Sequence, residues 1–149
     1  RLHNGATAII DYSHTPDSLL NALMAVREIL NEMESKGRII TVFGCGGNRD
    51  RTKRPMMGDI AVHYSDIVII TSDNPRDEDP FEIINQIKSG IDKENYMIIE
   101  NREDALRNAI DMSGKNDVVL VAGKGHETYQ EIKGVKHHFS DREVIEKYC

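Results

Sequence analysis

The sequence predicts an α/β domain with a mostly parallel sheet covered by helices on both faces. Short apolar segments alternate along the chain with segments whose apolar residues recur at helical spacing. The short segments are apolar throughout, which is typical of strands buried on both faces of a parallel sheet. Together these patterns indicate an open, Rossmann-like α/β architecture, to which a candidate hairpin near the C-terminus adds an antiparallel edge.

The first two elements show both patterns. Residues 6–12 are rich in Ile and Thr and predict a buried strand. Leucines and Val26 then recur every three or four residues between Leu19 and Leu30, which predicts an amphipathic helix. Thr15 is its expected N-cap and Pro16 its first residue, and Gly37 follows its end.

The later elements continue the alternation. We predict strands at residues 38–43, 66–71, 96–99 and 117–122 from their apolar, β-branched composition, and helices at residues 56–64, 80–91 and 102–112 from their periodicity. Phe81, Ile84 and Ile87 are expected on one helix face, and Met24, Met33, Met56 and Met57 in the core.

Two elements remain at the C-terminal end. Segments 129–132 and 135–139 flank Lys133-Gly134 and predict a hairpin. The final helix, residues 140–148, is expected to have Ser140 as N-cap and Glu143 as its capping-box partner.

Composition narrows the class of protein. The 149 residues suffice for one ordinary domain, and 39% hydrophobic with 30% charged residues argues against disorder. The net charge of −6 argues against a nucleic-acid partner, and no long apolar run predicts a membrane span. Two cysteines form neither a disulfide framework nor a zinc set, so we expect a cytoplasmic protein. Cys45 is expected to be a small buried thiol.

Ligands of such sheets bind beyond the carboxyl ends of the strands. The loop GCGGNRDRTKRP, residues 44–55, follows one of these ends. It fits neither the dinucleotide fingerprint nor a Walker A loop. Arg49, Arg51, Lys53 and Arg54 against Asp50 give it a charge of +3, which predicts anion binding, although a solvated turn is the alternative.

Three further strand ends carry polar side chains. In Asp73-Asn74-Pro75-Arg76 the proline makes a rigid turn, and the Asn and Arg could grip a zwitterionic amino acid, or simply form an Asx turn. Gly123 permits close backbone approach and Glu127 could receive an ammonium group, or the segment is a glycine-rich turn. Asp11 could bind ribose hydroxyls and His14 a phosphate or a base, or both belong to a helix-capping turn.

The strings DYSHTPDSL, GCGGNRDRTKRPMMG, SDNPRDEDP and VLVAGKGHETYQ, in this order, resemble the C-terminal domain of the Mur ligases. DNPR followed by GKGHE is most similar to the branch that adds the third residue of the peptidoglycan stem peptide. The resemblance covers essentially residues 1–149, as one domain. It implies ATP-dependent amide formation through an acyl phosphate, with an N-terminal UDP-sugar domain and a central ATPase domain that this chain does not contain. The isolated chain is therefore expected to be inactive.

The resemblance also implies roles by position. Residues implied to bind meso-diaminopimelate are Arg49, Asp73, Asn74, Pro75, Arg76, Gly123 and Glu127. Arg76 would hold the distal carboxylate, which lysine lacks. Asp11, His14 and, less firmly, Lys53 would contact ATP on domain closure. No catalytic residue or metal ligand is implied here, because ATP and Mg²⁺ would be held mainly by the central domain. The implied partners are that domain and UDP-MurNAc-L-Ala-D-Glu.

Alternatives stay open at this point. The chain could be a free-standing nucleotide- or amino-acid-binding regulatory module, although a free module would begin with Met and this chain begins with Arg1. It could belong to a Mur-type ligase that uses lysine or lanthionine. A folylpolyglutamate or cyanophycin synthetase is expected to lack the DNPR and GKGHE pair.

Overall fold

The computed structural model describes residues 1–33 and 36–149 and contains a parallel sheet of five strands. Its strands are β1 (Thr7–Asp11), β2 (Ile39–Phe43), β3 (Ile67–Ile70), β4 (Tyr96–Ile98) and β5 (Val118–Ala122). They are ordered β1-β5-β2-β3-β4, and every neighbouring pair is parallel. The predicted α/β class with a Rossmann-like parallel sheet is confirmed.

Helices cover both faces of this sheet. They are α1 (Pro16–Glu32), α2 (Lys53–Tyr64), α3 (Pro80–Lys88), α4 (Arg102–Met112) and α5 (Asp141–Glu146). Alternate residues of the fully buried strand β2 point to opposite faces, so Ile39 and Phe43 pack with α1, α2 and α3, whereas Ile40 and Val42 pack with α4 and α5. Burial on both faces explains why β2 is apolar throughout.

Capping explains where two helices begin. Thr15 caps α1, and its side chain and that of Ser18 bond reciprocally to each other's backbone N–H, as predicted for the start at Pro16. Ser140 caps α5, but the Glu143 carboxylate contacts His138 Nε2 at 2.7 Å. The predicted capping box at α5 is therefore only half formed.

The hairpin lies elsewhere than predicted. Strands β6 (Tyr129–Ile132) and β7 (Val135–His138) form a separate two-stranded sheet, and the edges of the main sheet are β1 and β4. A single parallel bridge joins Ile132 to Arg76 in the loop after β3. The predicted antiparallel hairpin is therefore confirmed, but it packs on the loop after β3 and does not extend the main sheet.

One predicted helix face and three of the predicted core positions are also wrong. Phe81 is 55% exposed because α3 turns Ile83, Ile84 and Ile87 toward the sheet. Among the four methionines predicted in the core, only Met57 is buried. Met24, Met33 and Met56 are more than half exposed. Within the described ranges, we find no helix that combines the length and the apolar character needed to cross a bilayer.

Candidate functional site

A cavity of about 430 Å³ opens at the carboxyl edge of the sheet, lined by the loops that follow β1, β2, β3 and β5. Eight of the ten predicted site residues line it, namely His14, Arg49, Lys53, Asp73, Asn74, Arg76, Gly123 and Glu127. The carboxylate of Asp11, at the end of β1, instead accepts a hydrogen bond from the Ser13 hydroxyl. Pro75 lies behind the cavity and accepts from the backbone N–H of Glu78.

Glycine lets two of these loops touch backbone to backbone. A methyl group at Gly47 would lie 1.8 Å from the Pro75 carbonyl oxygen, and the Gly47 N–H donates to Asn74 O at 2.7 Å. Gly123 has φ +117, and a methyl group there would lie 2.9 Å from Asp73 Oδ2. A side chain at Gly47 would therefore push the Pro75 loop out of place, whereas one at Gly123 would adopt an unfavourable φ and displace the Asp73 carboxylate.

A buried ion pair fixes the loop after β2. Arg54 is 1% exposed and donates to both carboxylate oxygens of Glu78, at 3.1 and 2.9 Å, and to Gly46 O at 2.8 Å. Glu78 also accepts from the Asn48 N–H at 2.5 Å. The hydrogen bonds from Arg54 are the main reason that the pKa of Glu78 falls to about 2.

This pairing corrects the predicted anion site. Arg54 is committed to Glu78 inside the protein, and the exposed Arg51 lies 3.2 Å from the same carboxylate. Arg49 and Lys53 line the cavity, so only half of the predicted cationic cluster faces it. The Arg54 prediction is wrong because spacing along the chain does not reveal Glu78, which lies in another loop.

Arg76 is held in a strained conformation by the hairpin. Its φ of 54 lies in the left-handed region, which costs a non-glycine residue about 1 kcal/mol or more. Its N–H donates to Glu131 O at 3.0 Å and its carbonyl accepts from the Lys133 N–H at 2.7 Å. Its guanidinium Nη1 donates to Gly47 O at 3.0 Å, and Nε lies 3.5 Å from Glu131 Oε1. The guanidinium is therefore aimed before any ligand arrives.

Asn74 and Glu127 face each other across the cavity wall. The Asn74 Oδ1 accepts from Lys124 Nζ at 2.8 Å and from the Glu131 N–H at 3.0 Å. Its Nδ2 donates to Glu127 Oε1 at 3.3 Å. The other Glu127 oxygen contacts the Tyr12 hydroxyl at 3.4 Å, and the negative charge of Glu127 raises the pKa of Tyr12.

Sequence reasoning missed the residues that brace this wall. Lys124 is fully buried, Gln130 Nε2 donates to Asp73 O at 2.8 Å, and Glu131 contacts Asn74 and Arg76. The sequence does contain one signal for the burial of Lys124, which is its position between the two glycines of GKGHE. Glycines allow a strand end to pack closely, and a lysine in such a place has little access to water.

A second buried pair lies beneath the strand ends. Arg102 in α4 donates through Nε and Nη2 to the Asp141 carboxylate of α5, at 2.8 Å each, and both side chains are fully buried. The same guanidinium donates to Ser72 O at 3.0 Å and Ala122 O at 3.3 Å. It therefore ties together the two strand ends that carry Asp73 and Gly123.

Cys45 lines the cavity but lacks the features of a nucleophile. Its Sγ lies 3.7 Å from Met57 Sδ, and burial raises the pKa of the thiol to about 12. The thiol therefore stays protonated near neutral pH. Cys45 is only partly buried, so the predicted small buried thiol is confirmed only in part.

The cavity thus presents opposite charges on a braced framework. Arg49, Lys53 and Arg76 supply cations, while Asp73 and Glu127 supply carboxylates. Because a zwitterionic amino acid carries both an ammonium and a carboxylate, it complements this arrangement.

Known proteins resemble this chain in sequence. It is 55% identical over 150 residues to a UDP-N-acetylmuramoyl-L-alanyl-D-glutamate–2,6-diaminopimelate ligase of Bacteroides thetaiotaomicron, covering 99% of this chain and 30% of the relative. The ligase of the same name from Aquifex aeolicus is 54% identical over 142 residues, covering 95% and 28%. The chain thus spans under a third of these relatives.

Structural comparison agrees with sequence comparison. A solved structure of a UDP-N-acetylmuramoyl-L-alanyl-D-glutamate–2,6-diaminopimelate ligase superposes with a TM-score of 0.88 and 40% identity, covering 96% of this chain and 29% of the other. A murein peptide ligase from Psychrobacter arcticus shares the fold at a TM-score of 0.61 and 12% identity, covering 82% and 25%. The family model "Mur ligase, glutamate ligase domain" matches residues 1–125. The chain therefore belongs to the Mur ligase family.

Proposed function

We propose that this chain is the amino-acid-binding domain of an ATP-dependent ligase that joins meso-diaminopimelate to UDP-MurNAc-L-Ala-D-Glu, the MurE reaction. The observation that carries the proposal is the Arg76 guanidinium, held in place at a cavity that Asp73 and Glu127 also line. The relatives named for this reaction support the choice of amino acid.

The chain's own residues deliver the nucleophile in this proposal. Asp73 and Glu127 receive an ammonium group of the incoming amino acid, and Arg76 pairs with its distal carboxylate. This pairing fixes the orientation of the amino acid, so that its reacting amine is presented to the activated substrate when the domains close. Lysine lacks the distal carboxylate and leaves Arg76 without its partner, which disfavours lysine.

Part of the ATP site is also proposed to lie at the cavity mouth. ATP supplies the phosphoryl group that activates the D-glutamate carboxylate as an acyl phosphate. His14 and Lys53 line the cavity and can contact the nucleotide on closure. Asp11 fits this role less well, because it lies outside the lining and its carboxylate bonds to Ser13. Both assignments stay predictions.

Mg²⁺ binding is assigned in this proposal to the central domain of the full-length ligase, as the resemblance implies. In the described part of the chain, three His, Cys or acidic side chains close enough to hold an ion come together at Asp59, His63 and Asp92, which lie outside the cavity lining.

The test is Arg76→Ala in the full-length ligase, with diaminopimelate, lanthionine and lysine as amino-acid substrates. Losing a charge pair with a desolvated carboxylate should cost about 2–5 kcal/mol, seen as a large rise in KM for diaminopimelate and a much smaller change for lysine. Arg107→Ala is the matched control, since Arg107 is exposed on α4. An unchanged KM for diaminopimelate contradicts the proposal, and a wild-type preference for lysine or lanthionine changes its substrate.

A further inference from the structure

Lys124 is a buried cation placed directly behind the ligand-facing side chains. Its side chain is fully buried, and it is absent from the cavity lining. Its Nζ donates to Asn74 Oδ1 and Tyr129 O, both at 2.8 Å, and lies 3.3 Å from Asp73 Oδ1 and 3.4 Å from Glu127 Oε1. A cation that reaches three cavity residues without touching the cavity can act on a ligand only through them.

Its first effect is on the orientation of Asn74. Two donors, Lys124 Nζ and the Glu131 N–H, occupy the Asn74 Oδ1. The amide therefore turns its Nδ2 toward Glu127 Oε1, 3.3 Å away at the cavity wall. Because the Lys124 ammonium group can only donate, flipping the Asn74 amide would place its Nδ2, also a donor, against Lys124 Nζ. Asn74 is thus fixed as a hydrogen-bond donor near Arg76, which suits a ligand carboxylate.

Its second effect is on charge. The carboxylates of Asp73 and Glu127 together carry a charge of −2, and Lys124 carries +1. The three groups therefore have a net charge of −1, which a single ammonium group of the ligand can balance. Without Lys124, the second negative charge would repel ligand carboxylates and attract ligands with a surplus of positive charge. Because Lys124 is fully buried, its charge matters more than it would on the surface.

We propose that Lys124 is a positioning residue that determines amino-acid specificity, an inference that rests on the proposed function. By fixing Asn74 and neutralising one carboxylate, it favours a diamino diacid with no net charge over lysine, which carries +1. It does so without contacting either ligand.

The test is Lys124→Met in the full-length ligase, with kcat and KM measured for diaminopimelate and for lysine. The KM for diaminopimelate should rise about tenfold or more, the scale of a lost buried charge contact. The ratio of kcat/KM for diaminopimelate to that for lysine should fall several-fold, while the KM for ATP stays near the wild-type value. Lys88→Met, which removes an exposed lysine of α3, is the matched control and should change none of these values.

The ratio separates specificity from a general structural role. If both amino acids lose the same factor and the ratio is unchanged, the inference is wrong and Lys124 is only a structural brace. If Lys124→Met does not fold, Lys124→Gln removes the charge while keeping a donor, and the same ratio decides. Arg76→Ala in the same assay tests the proposed function separately. If Arg76→Ala leaves the KM for diaminopimelate unchanged, the proposed function is wrong. If Arg76→Ala has a strong effect but Lys124→Met leaves the ratio of kcat/KM values unchanged, only the inference about Lys124 is wrong.

Discussion

The two sides of the cavity are built differently. The braced wall, formed by Asp73, Asn74, Arg76 and Glu127, bonds to the hairpin, to Lys124 and to the loop after β2. The open rim, formed by His14, Arg49, Asp50 and Lys53, makes mostly local bonds. Arg49, for example, donates to the carbonyl of its neighbour Asn48, and Asp50 accepts from Thr52. The difference indicates that the wall is preorganised, whereas the side chains of the rim can still adapt to the surface that closes over them.

The strongest test of how the two sides are joined is Arg54→Met, because Arg54 ties the loop after β2, which carries the rim, to Glu78 in the loop after β3, which carries the wall. Removing Arg54 leaves Glu78 charged and mostly buried without its main partner, so the free energy of unfolding should fall by about 3–5 kcal/mol. Urea denaturation measures this loss. Arg107→Ala, which breaks an exposed pair, should cost less than about 1 kcal/mol. Equal losses in the two variants would contradict the claim that this buried pair holds the two loops together.

A smaller effect is expected at the contact between loops. In Gly47→Ala the new methyl group meets Pro75 O, so the loops must separate, at a cost of about 1–3 kcal/mol. Thermal unfolding of this variant should be compared with that of Gly114→Ala, where a methyl group meets no atom within 4 Å. If the two midpoints shift equally, the close approach of the loops does not matter for stability.

The dependence of folding stability on pH under acidic conditions provides a third test. The pKa of Glu78 is about 2 in the folded chain and 4.5 for the free group, so its stabilising contribution is complete above pH 4.5 and is lost as the pH falls toward 2. Glu78→Gln should remove this part of the pH dependence. Denaturation midpoints between pH 2 and 5 measure it, and the same slope in wild type and variant would show that Glu78 does not cause it.

The smallest change in stability is expected at the rim. Arg49→Ala should change the free energy of unfolding by less than about 0.5 kcal/mol, because among the described residues its guanidinium bonds to the neighbouring carbonyl of Asn48 and to no other group. Its effect should appear in the KM for the amino acid of the full-length ligase. A stability loss like that of Arg54→Met would show that the rim is braced too.

Parallel topology explains what could be predicted from the sequence. Apolar strands flanked by helices imply one edge where all strand ends meet, and that rule alone brings His14, Asn74 and Glu127 together. Long-range pairing explains what could not be predicted. From the sequence alone, Arg54 and Lys124 resemble surface cations. Their partners, Glu78 and Asn74, lie in another loop and are far away along the chain. The hairpin has a clear turn signal, but nothing in its own residues says which loop it will cover.

The Arg102–Asp141 pair has a consequence for local unfolding. Since one guanidinium holds α5 and the carbonyls of Ser72 and Ala122, opening α5 leaves this buried arginine without its carboxylate and loosens both strand ends. The amide protons of α5 and of these ends should therefore exchange with solvent as one cooperative unit. Although Asp141 does not line the cavity, the lifetime of the assembled cavity is then tied to a six-residue helix near the C-terminal end of the chain.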